Sequence, residues 1–290
     1  MQINRGGPLS DNIDDMRGQS GGGGGRGPGL RLGLGGMIIL LILSVVFKRD
    51  FFSLVGGGTG GGMPAGAPAP LSPEAKAHED SLADLVSAVL DSSQGEWARI
   101  FPRLGAQYVP ARLTLFRDGI QSACGSAESA TGPFYCPGDQ HVYIDLGFYD
   151  ELSSRFGAPG DFAQAYVLAH EIGHHVQNLL GIERKVRQAQ QEDPSQQNEL
   201  SVRMELQADC FAGVWGSAYE KKGGLSQGDL EEGMRAAAAV GDDRIQKMSQ
   251  GYVNPDGFTH GTSEQRQRWF NQGFKSGDPK QCDTFGARSL

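Results

Sequence analysis

The sequence has no surplus of positive charge: 26 lysines and arginines stand against 34 aspartates and glutamates, for a formal net charge of −8 over 290 residues. That balance argues against a nucleic-acid partner, which needs a basic face to meet its phosphates. Cysteine is scarce. There are four, and none precedes Cys124. Residues 1–29 contain no aromatic side chain, so they cannot bury enough surface to offset the entropy of ordering. A long apolar run is missing everywhere except Leu30–Phe47. Glycine is the opposite case: 44 residues, concentrated in the first third, too many for an evenly globular chain.

These shortages divide the chain. Residues 1–29 read as a disordered Gly-rich tail, 30–47 as a transmembrane helix, 48–72 as a Gly/Pro-rich linker and 73–290 as the folded domain. The uninterrupted apolar core Met37–Phe47 is short for a span that usually needs about 20 residues, but Leu30–Phe47 can cross with Arg31 snorkelling to the interface. A cleaved signal peptide competes with this reading. The segment begins late, however, and no clear small-residue cleavage site follows it directly. The flanking charges are ambiguous: Arg5, Arg17, Arg26 and Arg31 precede the run and Lys48 and Arg49 follow it. An even number of cysteines confined to the folded part suits an oxidising compartment and places the domain outside the cytoplasm. Four reduced thiols in a cytosolic protein are the competing account. Cys124 and Cys136 would close a short loop, which favours that bridge with Cys210–Cys282 as its complement, among three possible connectivities.

The folded part opens on a helix with Ser72 as N-cap, Pro73 at its first position and Leu82, Leu85, Val86 and Leu90 at helical spacing. Arg112–Phe116 and His141–Leu146 read as strands, separated by a Gly/Ser/Pro-rich excursion. The second strand either packs in the core or offers its edge to an extended peptide. Helices are expected over Asp161–Leu180, from about Pro194 to Tyr219, and over Ser226–Val240. Thr262-x-x-Gln265 fits a capping box that starts another.

The chemistry sits in the helix over Asp161–Leu180. His170, Glu171 and His174 stand in the order H-E-x-x-H. Residues turn by about 100° along a helix, so both imidazoles share a face and can reach one ion. Glu171 lies beside them, where it can take a proton from a water on that ion without ligating it. His175 points away and reads as structural or exposed. Catalytic zinc usually takes three protein ligands and one water. Glu205 and Asp209 lie four apart on a helix rich in Leu206, Phe211, Val214 and Trp215, hence buried, and buried carboxylates need partners. Glu205 is therefore assigned as third ligand, with Glu199 as the runner-up, and Asp209 as acceptor of the outer N–H of His170. His260, on the loop before the capped helix, either donates to a developing oxyanion or packs beside Trp269. Arg266 and Arg268 are candidates to pair with acids inside the fold.

As a set, HEIGHHVQN, MELQADCFAGVW, FTHGTSEQR and the GPFYCPGDQHVYIDL block resemble the bacterial "putative neutral zinc metallopeptidase" family, as does a Gly-rich N-terminus followed by an apolar segment. The resemblance implies a membrane-associated zinc peptidase of the zincin type, with His170 and His174 as ligands, Glu171 as base and Glu205 and Asp209 matching a glutamate-helix pattern. The expected fold is α+β, mainly helical, with a small antiparallel sheet. The expected function is hydrolysis of peptide bonds in a peptide or protein substrate through one Zn2+, at the periplasmic side of a bacterial inner membrane spanned once. A non-catalytic zinc-stabilised scaffold and a non-peptidase amide hydrolase are the alternatives.

Overall fold

The computed structural model describes residues 1–3, 6–18, 71–128 and 132–290. Its elements are β1 (Ile13–Asp15), α1 (Pro73–Ile100), β2 (Arg112–Phe116), β3 (Gly119–Ser122), β4 (Gly125–Glu128), β5 (Phe134–Cys136), β6 (His141–Asp145), α2 (Gly147–Ser154), α3 (Asp161–Leu179), α4 (Ile182–Glu192), α5 (Gln197–Lys221), α6 (Asp229–Ala239), α7 (Asp242–Gln250) and α8 (Ser263–Ser276). Helix dominates, as the apolar periodicities require.

α3 is buried on almost every face, which explains why its sequence shows little amphipathic contrast. α1 crosses it after the Ser72 cap, whose hydroxyl accepts from the Ala75 amide at 3.2 Å. On α1, Trp97 meets Phe211 of α5 edge to face at 5.2 Å. Phe162 of α3 stacks on Trp215 of α5. The N-terminus of α3 has only Gly160 as cap, and Glu232 of α6 supplies the missing acceptor to the Phe162 amide at 3.1 Å. α8 starts at the expected capping box. It lies so close to α5 that a Cβ on Gly273 would sit 1.9 Å from the Cys210 carbonyl oxygen.

The four-stranded sheet has the order β1-β2-β6-β5. It corrects the expectation of a small antiparallel sheet. β1, β2 and β6 are parallel, and only β5 runs antiparallel to β6. Parallel strands need a long crossover, usually helical, and among the described residues between β2 and β6 there is no helix, so no helical pattern signals it. That stretch is not irregular throughout. It holds the antiparallel hairpin β3–β4 and the edge strand β5. Phe116, Cys136 and Tyr143, with Ile120 and Phe134 packed on them, cover the outer face, while Leu113, Leu115, Val142 and Ile144 enter the main core. β6 is paired with β2 along its length and with β5 over His141–Tyr143, so that stretch has no free edge to offer an extended peptide.

The second correction concerns the tail. Residues 6–18 are ordered: β1 pairs with β2 in the register Ile13↔Leu113, and Arg112 Nε donates to Asp14 at 3.0 Å. The Ser10 amide donates to Ser87 Oγ at 2.8 Å. A segment too polar to form a core of its own is held by ladder hydrogen bonds that another part of the chain provides. Residues 30–47, expected as a spanning helix, and nearly all of 48–72 lie outside the described residues. Among the described residues no helix is long and apolar enough to cross a membrane. Disulfides join Cys124 to Cys136 and Cys210 to Cys282.

Candidate metal centre

α3 and α5 cross where Gly173 faces Ala208. A Cβ on Gly173 would lie 2.8 Å from the Ala208 carbonyl oxygen, so only glycine lets the two backbones come this near. The approach brings Glu205 of α5 against His170 and His174 of α3. His170 Nε2 lies 3.1 Å from Glu205 Oε2 and 3.1 Å from His174 Nε2, and His174 Nε2 lies 3.4 Å from Glu205 Oε1. The ligand atoms of these three residues all fall within 4.8 Å of one another.

The outer ring nitrogens decide what this cluster can hold. His170 Nδ1 faces Asp209 Oδ1 at 2.8 Å, and His174 Nδ1 faces Gln177 Oε1 at 2.9 Å. Both partners are acceptors, so both rings carry a proton on Nδ1. Two Nε2 atoms and a carboxylate are then turned toward one another about 3 Å apart, an arrangement that a shared proton or a metal cation relieves. Two imidazoles and one carboxylate are the donor set of a catalytic zinc site with a position left for water. Burial opposes charge on the His170 ring, but Asp209 and Glu205 outweigh it and push its pKa up to about 10. Burial and the two rings compete in the same way at Glu205, and the attractions hold its carboxyl well below the usual range.

Glu171, 7% exposed, sits beside the candidate ligands, and burial raises its pKa although His170 and His174 pull the other way. A buried carboxylate of raised basicity next to a metal-bound water is suited to accept a proton. Beneath the candidate ligands, Asp209 is fully buried and is gripped by Arg266, Nε to Oδ2 at 2.8 Å and Nη2 to Oδ1 at 2.9 Å. Tyr166 donates its hydroxyl proton to the same carboxylate at 2.5 Å. Burial would raise the Asp209 pKa, and Arg266 and His170 reverse this.

His260 stands half exposed on the loop before α8, close enough to Glu205 for that charge, with Asp242, to raise its pKa against desolvation. Its Nδ1 lies 3.1 Å from Asp242 Oδ1, while Oδ2 accepts from the amides of Thr259, His260 and Gly261 at 2.7, 2.6 and 3.0 Å. One carboxylate thus fixes both the loop and the ring.

The structure therefore brings together His170, Glu171, His174, Glu205, Asp209 and His260. Glu199 is elsewhere, paired with Arg203 one turn away. Arg266 pairs with Asp209, whereas Arg268 donates to the Leu290 carbonyl. His175 is fully buried, its Nε2 donating to the Val109 carbonyl at 2.7 Å and its Nδ1 facing the Tyr135 hydroxyl at 3.0 Å. Sequence reasoning missed Gln177, Tyr166 and Asp242. Gln177 lies one turn beyond His174 and its spacing was a usable signal. Asp242 is 18 residues from His260 on another element, and nothing local links them.

A model of the family described as "Putative neutral zinc metallopeptidase" matches residues 2–285. The chain is 50% identical over 283 residues to the uncharacterized protein YpfJ of Escherichia coli strain K12, covering 96% of each chain. It is 43% identical over 216 residues to the uncharacterized protein Rv2575 of Mycobacterium tuberculosis strain H37Rv, covering 71% of each. No solved structure matches.

Proposed function

The chain belongs to this zinc metallopeptidase family, and on that premise we propose that it hydrolyses peptide bonds with one zinc ion held by His170, His174 and Glu205. The observation that carries the reading is the pair of Nε2 lone pairs, each fixed by an acceptor on its outer nitrogen, converging with a carboxylate beside Glu171. Bound zinc supplies Lewis acidity, which brings the pKa of a water near neutrality and polarises a carbonyl. Glu171 accepts the water proton as the oxygen attacks the peptide carbonyl and then delivers it to the leaving nitrogen. His260, held by Asp242, donates a hydrogen bond to the oxygen that gains charge in the transition state. Asp209 keeps the outer proton on His170 and is itself kept ionised by Arg266.

Zinc analysis combined with peptide-library cleavage tests this. Glu171→Gln is expected to keep its metal and lose turnover by at least about 10²-fold, since general base catalysis contributes on that order. Full peptidase activity in the variant would refute the mechanism. Zinc retained with no cleavage by the wild type would favour the scaffold reading, and cleavage confined to non-peptide amides the other hydrolase reading.

We further propose that the enzyme works on the periplasmic side of a bacterial inner membrane, tethered through residues 30–47. The two disulfides support an oxidising compartment. The β1–β2 pairing puts residues 6–18 in the same sheet as the catalytic domain, which favours a tether with both flanks on one face over a single crossing. Cysteines placed at Gly18 and Leu290 should both react with an impermeant thiol reagent from the periplasm. Labelling from opposite sides would sink this arrangement.

A further inference from the structure

A chain of side-chain amides leads from the metal centre to a disulfide. Gln177 is fully buried and Gln207 is 6% exposed. Gln177 Nε2 donates to the Met204 carbonyl at 2.8 Å and to Gln207 Oε1 at 3.1 Å. Gln207 Nε2 donates to the Cys282 carbonyl at 2.9 Å. Cys282 is held to α5 by its bridge to Cys210, the residue after Asp209. The segment beyond it is tied to the same helix: Thr284 Oγ1 donates to the Arg203 carbonyl at 2.7 Å, and Arg203 donates back to the carbonyls of Thr284 and Ala287.

The direction of this chain is not arbitrary. A peptide carbonyl only accepts, so Gln207 must present Nε2 to Cys282 and its oxygen to Gln177. Gln177 must then turn its NH2 toward Gln207 and Met204, which leaves only its oxygen for His174. His174 is thereby required to keep its proton on Nδ1 and its lone pair on Nε2, where the metal cluster lies. If the amide of either glutamine turned over, two like groups would face each other in a water-poor interior, which is costly. His170 has a charged acceptor, Asp209, to fix its tautomer. His174 has only this neutral relay, anchored on two carbonyls.

We propose that Gln177 and Gln207 are positioning residues for zinc, and that the Cys210–Cys282 bridge sets the tautomer and orientation of His174 through them. The proposal rests on His170, His174 and Glu205 being the ligands. It extends the role of the bridge from closing a loop to tuning metal affinity. The bridge between Cys124 and Cys136 packs in the sheet's outer cluster, and among the described residues no hydrogen bond joins it to Gln177 or Gln207.

The test uses the full chain and zinc alone as probe. Zinc dissociation constants are measured by chelator competition, and the visible spectrum of the cobalt-substituted protein reports ligand geometry. Gln177→Met should weaken zinc binding by about 10–100-fold, the range for loss of a partner of a ligand histidine. Gln207→Met and the double variant Cys210→Ser/Cys282→Ser should each weaken it by about tenfold and alter the cobalt bands. Combined, they should cost no more than either alone, because they cut one path. Cys124→Ser/Cys136→Ser should bind as wild type. A general loss of stability predicts neither the lack of additivity nor the difference between the two bridges. If Gln207→Met does not fold, Gln207→Asn replaces it: the shortened amide cannot span Gln177 and the Cys282 carbonyl, so affinity should again fall by about tenfold and become indifferent to removal of the Cys210–Cys282 bridge. Wild-type affinity and spectrum in Gln207→Met, or additive losses, would overturn the relay. A wild-type chain that binds no zinc would overturn the ligand assignment instead.

Discussion

Arg266→Met removes the cation under the candidate metal centre and gives the sharpest measure of what holds α8 to α3 and α5. Arg266 is 3% exposed and Asp209 is fully buried, so neither charge is screened by solvent. The guanidinium makes two parallel bonds to Asp209, one to the Val240 carbonyl at 3.1 Å and one to the Tyr166 oxygen at 3.2 Å. Methionine keeps most of the apolar stem, so the loss is mainly electrostatic. Breaking a buried pair from one side costs about 3–5 kcal/mol, and the lower end is expected because the His170 ring, 2.8 Å from Asp209, remains as its other counter-charge. For a domain of this size each kcal/mol shifts the melting temperature by about 2–4 °C, so a fall of roughly 10 °C is expected. Urea denaturation with zinc removed by chelation measures the change without the metal's own contribution. Asp209→Asn/Arg266→Met has no stranded charge, and the amide introduced at position 209 would still offer an oxygen to His170. The double variant should therefore be more stable than Arg266→Met alone. A loss below about 1 kcal/mol in Arg266→Met, or a double variant less stable than the single, would refute the account.

Three other outcomes follow from the geometry. Glu205→Ala should lose zinc by more than the roughly 10–100-fold expected for an outer partner, and unchanged zinc content by elemental analysis would reassign the third ligand. His260→Ala should keep its zinc and lower kcat by about 10²-fold, the usual cost of one oxyanion donor; an unchanged kcat would leave the ring as a packing residue. Gly273→Ala places a Cβ against the Cys210 backbone, which cannot yield as a side-chain end can. It should destabilise the fold by about 3 kcal/mol in chemical denaturation, the upper range for overpacking, and a neutral result would mean that α5 and α8 slide freely.

The sequence determined those features whose physics is local. Four-residue spacing puts His170 with His174 and Glu205 with Asp209 whatever surrounds them. Ser72 with Pro73, and Thr262 with Gln265, mark helix starts because each cap is satisfied within one turn. The burial of Asp209 and the partial burial of Glu205 followed from their apolar neighbours, and buried carboxylates demanded partners. Tertiary structure decided everything that depends on two distant segments meeting. The parallel β2–β6 pairing left no mark, because the crossover between them carries no helical period. The polar stretch 6–18 reads as a tail until a sheet edge supplies its hydrogen bonds. Arg266 under Asp209, Asp242 behind His260, and Gln207 between His174 and Cys282 join residues whose sequence separation carries no period or motif. A hydrogen bond acts over about 3 Å of space. Periodicity can report which face a residue shares, but only the packed chain fixes which atoms stand opposite it.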